Sequence, residues 1–284
     1  MKNKSKVGMP VSYTIDNSFI KIMITADLNT NIPMLREKLR ELSPTMTLLP
    51  RIEGIINKDE PTLEDILRVC SHDPKLLGRL TRRAGFSGSE QEFARDILFK
   101  KGLGFLKSLA IRSMNREIFE IPMPNSDLTP FLLKKRSVIL ARFLKAFSSD
   151  VGIGVDEAYL AGLLFNYGYV CSELTCDGLG ADALEFEQNR SYYDTCASEL
   201  LSEFGFHKVV IEVIEDAHKD FYQTRLPFAQ ALLRIGNETL ANTEQTNGTI
   251  GRGENPDRIL LDATGLRARK IFSVLKDISR NYTV

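Results

Sequence analysis

Ala161-Gly162-Leu163-Leu164-Phe165-Asn166-Tyr167-Gly168-Tyr169-Val170 is the stretch on which the fold turns. It reads as an apolar helix that ends at a glycine, inside a chain whose other segments repeat their apolar residues at helical spacing. Asp156 and Glu157 fall in the first turn of this helix, where acids favour the positive end of the dipole. Just upstream, Thr129-Pro130 supplies a cap and an N1 proline for a long helix to about Ser148, with Leu133, Val138, Ile139, Leu140, Phe143 and Leu144 in its apolar stripe. Downstream, Gly178 to Gly180 reads as a turn, and Tyr192–Phe204, Lys208–His218 and Leu226–Leu240 read as three more helices. Asn242 to Pro256 is polar and glycine-containing and reads as a loop, followed by an amphipathic helix from about Leu266 to Ser279.

The N-terminal half is helical from Pro33 onward. Met34, Leu35, Leu39 and Leu42 recur at helical spacing, and Ser43-Pro44 closes the element. Pro50 suits the first turn of the next helix, and Thr62 caps Leu63–Ser71 with Glu64 and Asp65 in its first turn. Asp73-Pro74 repeats the cap-and-proline device. Gly85 to Gly88 makes a loop, a further helix runs to about Phe119, and Ile121-Pro122-Met123-Pro124 breaks the chain. Residues 1–30 differ: Val11–Asp16 and Phe19–Thr25 are rich in β-branched and aromatic residues around Asn17-Ser18, which reads as a short β-hairpin or an extended arm. The expected organisation is an extension (1–30), an N-terminal helical lobe (31–124) and a second helical lobe (125–284), all-α apart from the hairpin.

The 284 residues balance 37 Lys and Arg against 37 Asp and Glu, so no basic excess marks a nucleic-acid binder. The charge is unevenly placed. Residues 75–107 are rich in Lys and Arg, whereas Asp150–Glu187 holds acids and neither Lys nor Arg. Such asymmetry steers partners or holds two lobes or subunits together, or simply marks two solvated faces. Cys70, Cys171, Cys176 and Cys196 form no C-x-x-C pair and no zinc spacing, which fits reduced thiols in a cytosolic protein; a reactive Cys171 or Cys196 is the less favoured alternative to small buried side chains. No run of 18 apolar residues spans a membrane, and Met1–Val7 makes a poor signal peptide. Nucleophile-elbow and P-loop motifs are absent.

The decisive stretch resembles A-G-L-L-H-D-I-G-K-L, the segment that carries the His-Asp pair of the HD superfamily, in particular of its bacterial HDOD branch. Leu49-Pro50-Arg51-Ile52, the Asp73-Pro74-Lys75-Leu76 helix and Leu103 to Leu109 after Gly102 resemble landmarks of the N-terminal lobe of HDOD domains in the same order, although the family's A-N-S becomes Ala84-Gly85-Phe86. The resemblance covers roughly Leu42 to Ser279. It implies an N-terminal helical lobe packed on an HD-like lobe, with a metal held by an early His, the His-Asp pair and a late Asp, activating water.

In this chain those ligand positions match Arg136, Phe165, Asn166 and Asn237. A guanidinium donates no lone pair, a phenyl ring has no ligand atom, and an amide oxygen binds divalent cations weakly beside a carboxylate. His218 matches the second His of the family's I-x-x-H-H and lines the vestigial pocket, but one His does not hold a metal. No catalytic residue, metal or cofactor is therefore expected. The family's character implies a non-catalytic, cytoplasmic signal-transduction module acting on protein partners or a small ligand, with a homo-oligomer open. One alternative is a metal-dependent phosphohydrolase with displaced ligands, His218 with Asp216 or Asp194. Another is a nucleotide or anion sensor using Arg79, Arg82 and Arg83, on one helical face, with Lys100, Lys101 and Lys107.

Overall fold

The computed structural model describes residues 32–282, apart from 72–77, 79–80, 83–84, 124–128, 176–182, 218, 220, 247–249 and 251–256. The N-terminal hairpin reading, the Asp73-Pro74 helix, most of the 121–124 break's far side and the Gly178–Gly180 turn lie outside the described residues. The fold is all-α: among the described residues every regular element is helical.

The elements of the first half are α1 (32–42), α2 (Pro44–Ile56), α3 (Leu63–Ser71), α4 (Glu90–Asp96), a π-turn (Ile97–Lys101) and α5 (Leu103–Ile118). Those of the second are α6 (Pro130–Ala146), α7 (Val155–Leu164), α8 (Tyr167–Thr175), α9 (Ala183–Phe204), α10 (Lys208–Glu215), α11 (Pro227–Thr246), α12 (Arg258–Thr264) and α13 (Ala268–Arg280), with single helical turns at Ser148–Val151 and Phe221–Gln223. The caps read from sequence hold at two helix starts. The Thr129 hydroxyl accepts from Leu132 N at 3.3 Å, and the Thr62 hydroxyl accepts from Asp65 N at 3.2 Å.

Four boundaries differ from the sequence reading, each for a physical reason. Pro50 lies inside α2, which begins at Pro44. The buried Glu117 carboxylate of α5 accepts from Thr45 N at 3.1 Å and from the Thr45 hydroxyl at 2.8 Å, so a group 72 residues away caps the true start. Gly168 does not end a helix. The break falls at Phe165-Asn166, and Gly168 sits in the first turn of α8. α11 runs on through Asn242 to Thr246, because Glu244 is anchored from α6 by Arg136. Finally, α12 precedes the last helix, with the Asp257 side chain accepting from Ile259 N at 2.8 Å and Gly265 in the left-handed conformation closing it.

Two hydrophobic cores share one wall. The first gathers Leu35, Leu39, Leu49, Ile52, Phe93, Leu106 and Met114 with Leu160, Leu163 and Leu200. The second gathers Ile139, Leu140, Phe143, Phe165, Leu232, Ile235, Ile271 and Leu275. Helices α6 and α7 contribute to both. Their axes come close because Gly162 has no side chain: a Cβ there would stand 2.5 Å from the Leu140 carbonyl oxygen and 2.7 Å from Ala141 Cα. This tight pair precedes the turn Phe165-Asn166, whose Asn166 side chain reaches Asn237 on α11.

Candidate functional site: a buried hydrogen-bonded contact between helices

Phe165 and Asn166 leave α7 as a turn before α8 starts. Phe165 is 1% exposed and belongs to the second core, among Ile139, Leu140 and Phe143, so its ring fills packing space. Asn166, 3% exposed, donates from Nδ2 to Asn237 Oδ1 at 3.0 Å. Gly236, next to Asn237, packs on α6, where a Cβ would stand 2.9 Å from Leu140 Cδ2. The two positions matched to family aspartates are thus in direct contact, as a neutral amide pair.

Arg136 stands one turn before Leu140 on α6. Its Nε donates to Glu244 Oε2 at 2.7 Å, and Lys135 Nζ lies 3.9 Å from Glu244 Oε1. Both side chains of the Arg136–Glu244 pair are about nine-tenths buried, at 14% and 13% exposure. Asn237 and Glu244 lie seven residues, two turns, apart on α11, so the amide pair and the ion pair tie α11 to α7 and α6 at successive levels. Ser137 Oγ and Asn166 Oδ1 are buried here without a hydrogen-bond partner. Glu244 was not singled out from sequence; its signal, a carboxylate two turns after Asn237 on an extended helix, was hidden by reading Asn242 onward as a loop.

These residues do not fit a divalent cation. The guanidinium at the early position is a cation paired with Glu244, Phe165 offers no donor atom, and the two amides offer only neutral oxygens, of which Asn237 Oδ1 already accepts from Asn166 Nδ2. Among the described residues no group of three or more His, Cys, Asp or Glu side chains gathers where it could hold a metal. His218 lies outside the described residues.

The residues weighed as displaced ligands have other engagements. Asp216 is fully buried and accepts from Arg225 N at 2.8 Å, Arg225 Nε at 3.1 Å, Arg225 Nη2 at 2.8 Å and Lys219 Nζ at 2.9 Å. Arg234 closes the loop above it by donating to the Asp216 and Lys219 carbonyls. Burial alone would raise the Asp216 carboxyl, but the Arg225 and Lys219 hydrogen bonds outweigh it and lower it to about 2. A depressed carboxyl adds stability above its unfolded value and loses it as pH falls through the folded value. Asp216→Asn should therefore cost on the order of 1–2 kcal/mol near neutral pH, a gap that closes between roughly pH 4 and pH 2 in urea titrations; an unchanged gap in acid would separate the loss from this carboxylate's charge. Asp194, 1% exposed, pairs with Arg190 at 3.4 Å and is pressed against Gly168.

Of the expected anion patch, only part is described. Arg79 and Arg83 lie outside the described residues. Arg82 is exposed, with Nε donating to the Gly78 carbonyl at 2.9 Å. Lys107 is 13% exposed and bound to Glu53 at 3.0 Å and Asp156 at 2.7 Å, so its charge is spent between helices. Cys171 and Cys196 are buried free thiols, and burial pushes Cys171 well up and Cys196 to about 12, which leaves neither a nucleophilic thiolate. Among the described residues no helix is long and apolar enough to cross a membrane.

No family model matches the chain, and no curated protein sequence matches it. Among solved structures, one from Shewanella amazonensis SB2B named "Putative phosphohydrolase" is similar, with a TM-score of 0.51 and 17% identity over 87% of this chain and 93% of that one. At that identity the likeness is one of fold, and it extends over nearly the whole of both chains: the two share one helical architecture.

Proposed function

We infer that this chain is a non-catalytic regulatory module of the HD superfamily, of its HDOD branch, which acts in cytoplasmic signal transduction by binding a protein partner. The observation that carries this is the Asn166–Asn237 hydrogen bond. It stands where the HD frame, by resemblance, places two metal-binding carboxylates. A neutral amide pair offers a cation only uncharged oxygens in place of two carboxylates, and so attracts it weakly. The Arg136–Glu244 pair adds a positive group where an imidazole ligand would sit. The fold likeness to a protein named a phosphohydrolase supports the architecture, while function rests on the site.

Metal content and phosphodiester turnover of the purified, untagged protein, with and without added manganese, test the reading together. The expected result is substoichiometric metal and no turnover above the buffer blank. A stoichiometric transition metal, with turnover lost on changing Asn166 or Asn237, would overturn it in favour of a metal-dependent phosphohydrolase.

A further inference from the structure

Arg142 and Lys145 stand three residues apart on the exposed side of α6, where that spacing makes them neighbours. Neither joins an ion pair or a hydrogen bond among the described residues. Two phenols flank them, one from each helix packed on α6. Tyr159, on α7, is half-buried against the first core, and Lys145 Nζ stands over its ring, 5.9 Å from the centroid. The close crossing at Gly162, three residues on, sets the register of α7 against α6 and so the height of Tyr159 beside Lys145.

Tyr282 lies two residues beyond α13. It follows the buried Leu275 by two helical turns and Ile271 by three, so it falls on the same inward face. Its N–H donates to the Ser279 carbonyl at 3.4 Å, and its ring is half-buried against both cores. Burial raises the Tyr159 and Tyr282 phenols, and the Arg142 charge, which reaches both, offsets part of that rise. Both hydroxyls therefore keep their protons near neutral pH, and neither donates to another described residue.

The acids of this surface do not balance the two cations of α6. Asp150 faces Lys270 at 3.7 Å, Asp156 holds Lys107 at 2.7 Å, and the Glu157 carboxylate lies against Gly154 at the start of its own helix. On α13 the exposed Asp277 is matched by the exposed Arg280, three residues on. What is left over is a guanidinium, an ammonium and two phenol hydroxyls at the junction of α6, α7 and the end of α13.

We propose that Arg142, Lys145, Tyr159 and Tyr282 form a binding site for the phosphate monoester group of a soluble small molecule. The match is one of charge and of donors. Near neutral pH a monoester carries about −1.5 to −2, which answers two cations, whereas a carboxylate would leave one of them unanswered. The guanidinium fork, the ammonium and the two hydroxyls supply donors to its terminal oxygens, and charge-assisted bonds of this kind are the strong ones. The site shares no residue with the Asn166–Asn237 contact and does not depend on whether that contact binds a metal.

The test is isothermal titration calorimetry of the full chain with two monoesters, AMP and glucose 6-phosphate, against adenosine and glucose. Both monoesters should bind saturably and their parent alcohols should not. Affinity should fall about tenfold or more on Arg142→Gln and severalfold on Tyr282→Phe, and should weaken below about pH 6 as the ester takes up a proton. Arg142 is exposed and unpaired and Tyr282→Phe keeps the ring, so circular dichroism and urea midpoints should show both variants folded. Monoesters that bind no better than adenosine and glucose, or affinities unchanged in both variants, would overturn the proposal. Arg142-dependent binding of phosphatidic acid vesicles without binding of either soluble monoester would overturn it in favour of a lipid headgroup.

Discussion

Gly162→Ala is expected to lower the stability of the chain by about 2–3 kcal/mol, read as a lower urea midpoint with an unchanged slope. Two effects compete. Replacing an interior helix glycine gains up to about 1 kcal/mol of helix propensity. Against it, the new methyl group would stand 2.5 Å from the Leu140 carbonyl oxygen and 2.7 Å from Ala141 Cα. Both are backbone atoms, so no side chain can swing aside, and α6 and α7 would have to separate. That separation loosens both cores at once, since each helix contributes to both. The steric effect therefore wins. Gly54→Ala is the control with the opposite sign. Gly54 is exposed on α2 and a Cβ there meets nothing within 4 Å, so the propensity gain, about 0.5–1 kcal/mol, stands alone. Equal effects of the two substitutions would show that the close α6–α7 crossing does not govern stability.

How far the sequence disclosed this structure follows from the range of the forces involved. Helix starts fixed by local side-chain caps were legible, as at Thr62 and Thr129, because cap and capped amide lie within one turn. Two local signals went unread: Ser89 with Glu92 three residues on, and Asp257 before a seven-residue helix closed by Gly265. Starts and ends fixed from afar could not be read locally. The beginning of α2 depends on Glu117, and the last turns of α11 depend on Arg136. At the site, no local pattern links Asn166 to Asn237. Their pairing was accessible only through resemblance of two separate segments to one family frame, which put both at positions of metal-binding aspartates. The Arg136–Glu244 pair was half visible: Arg136 was named, but its partner lay in polar sequence that resembles a loop until the ion pair is formed.

Restoring the carboxylates tests what the amide pair does. The double variant Asn166→Asp with Asn237→Asp should be destabilised by about 3 kcal/mol near neutral pH, because two carboxylates would meet at hydrogen-bond distance with Asn166 buried. Asn166→Asp alone should lose only about 1 kcal/mol, since the Asn237 amide can donate to the new carboxylate. The sign with pH is opposite to that at Asp216. Like charge and burial raise a carboxyl in the folded state, so the penalty is absent below the unfolded value near 4, grows as pH rises toward the raised folded value, and is constant above it. Denaturation midpoints of the double variant should therefore approach those of the parent in mild acid. Manganese should leave the midpoint at neutral pH unchanged, because Phe165 has no ligand atom and Arg136 is a cation paired with Glu244, which leaves the ion only the two introduced carboxylates. A manganese-dependent rise would mean that a third ligand already faces the two side chains. In that case the reading of the amide pair as a site that has lost its metal would have to give way to one that still holds it.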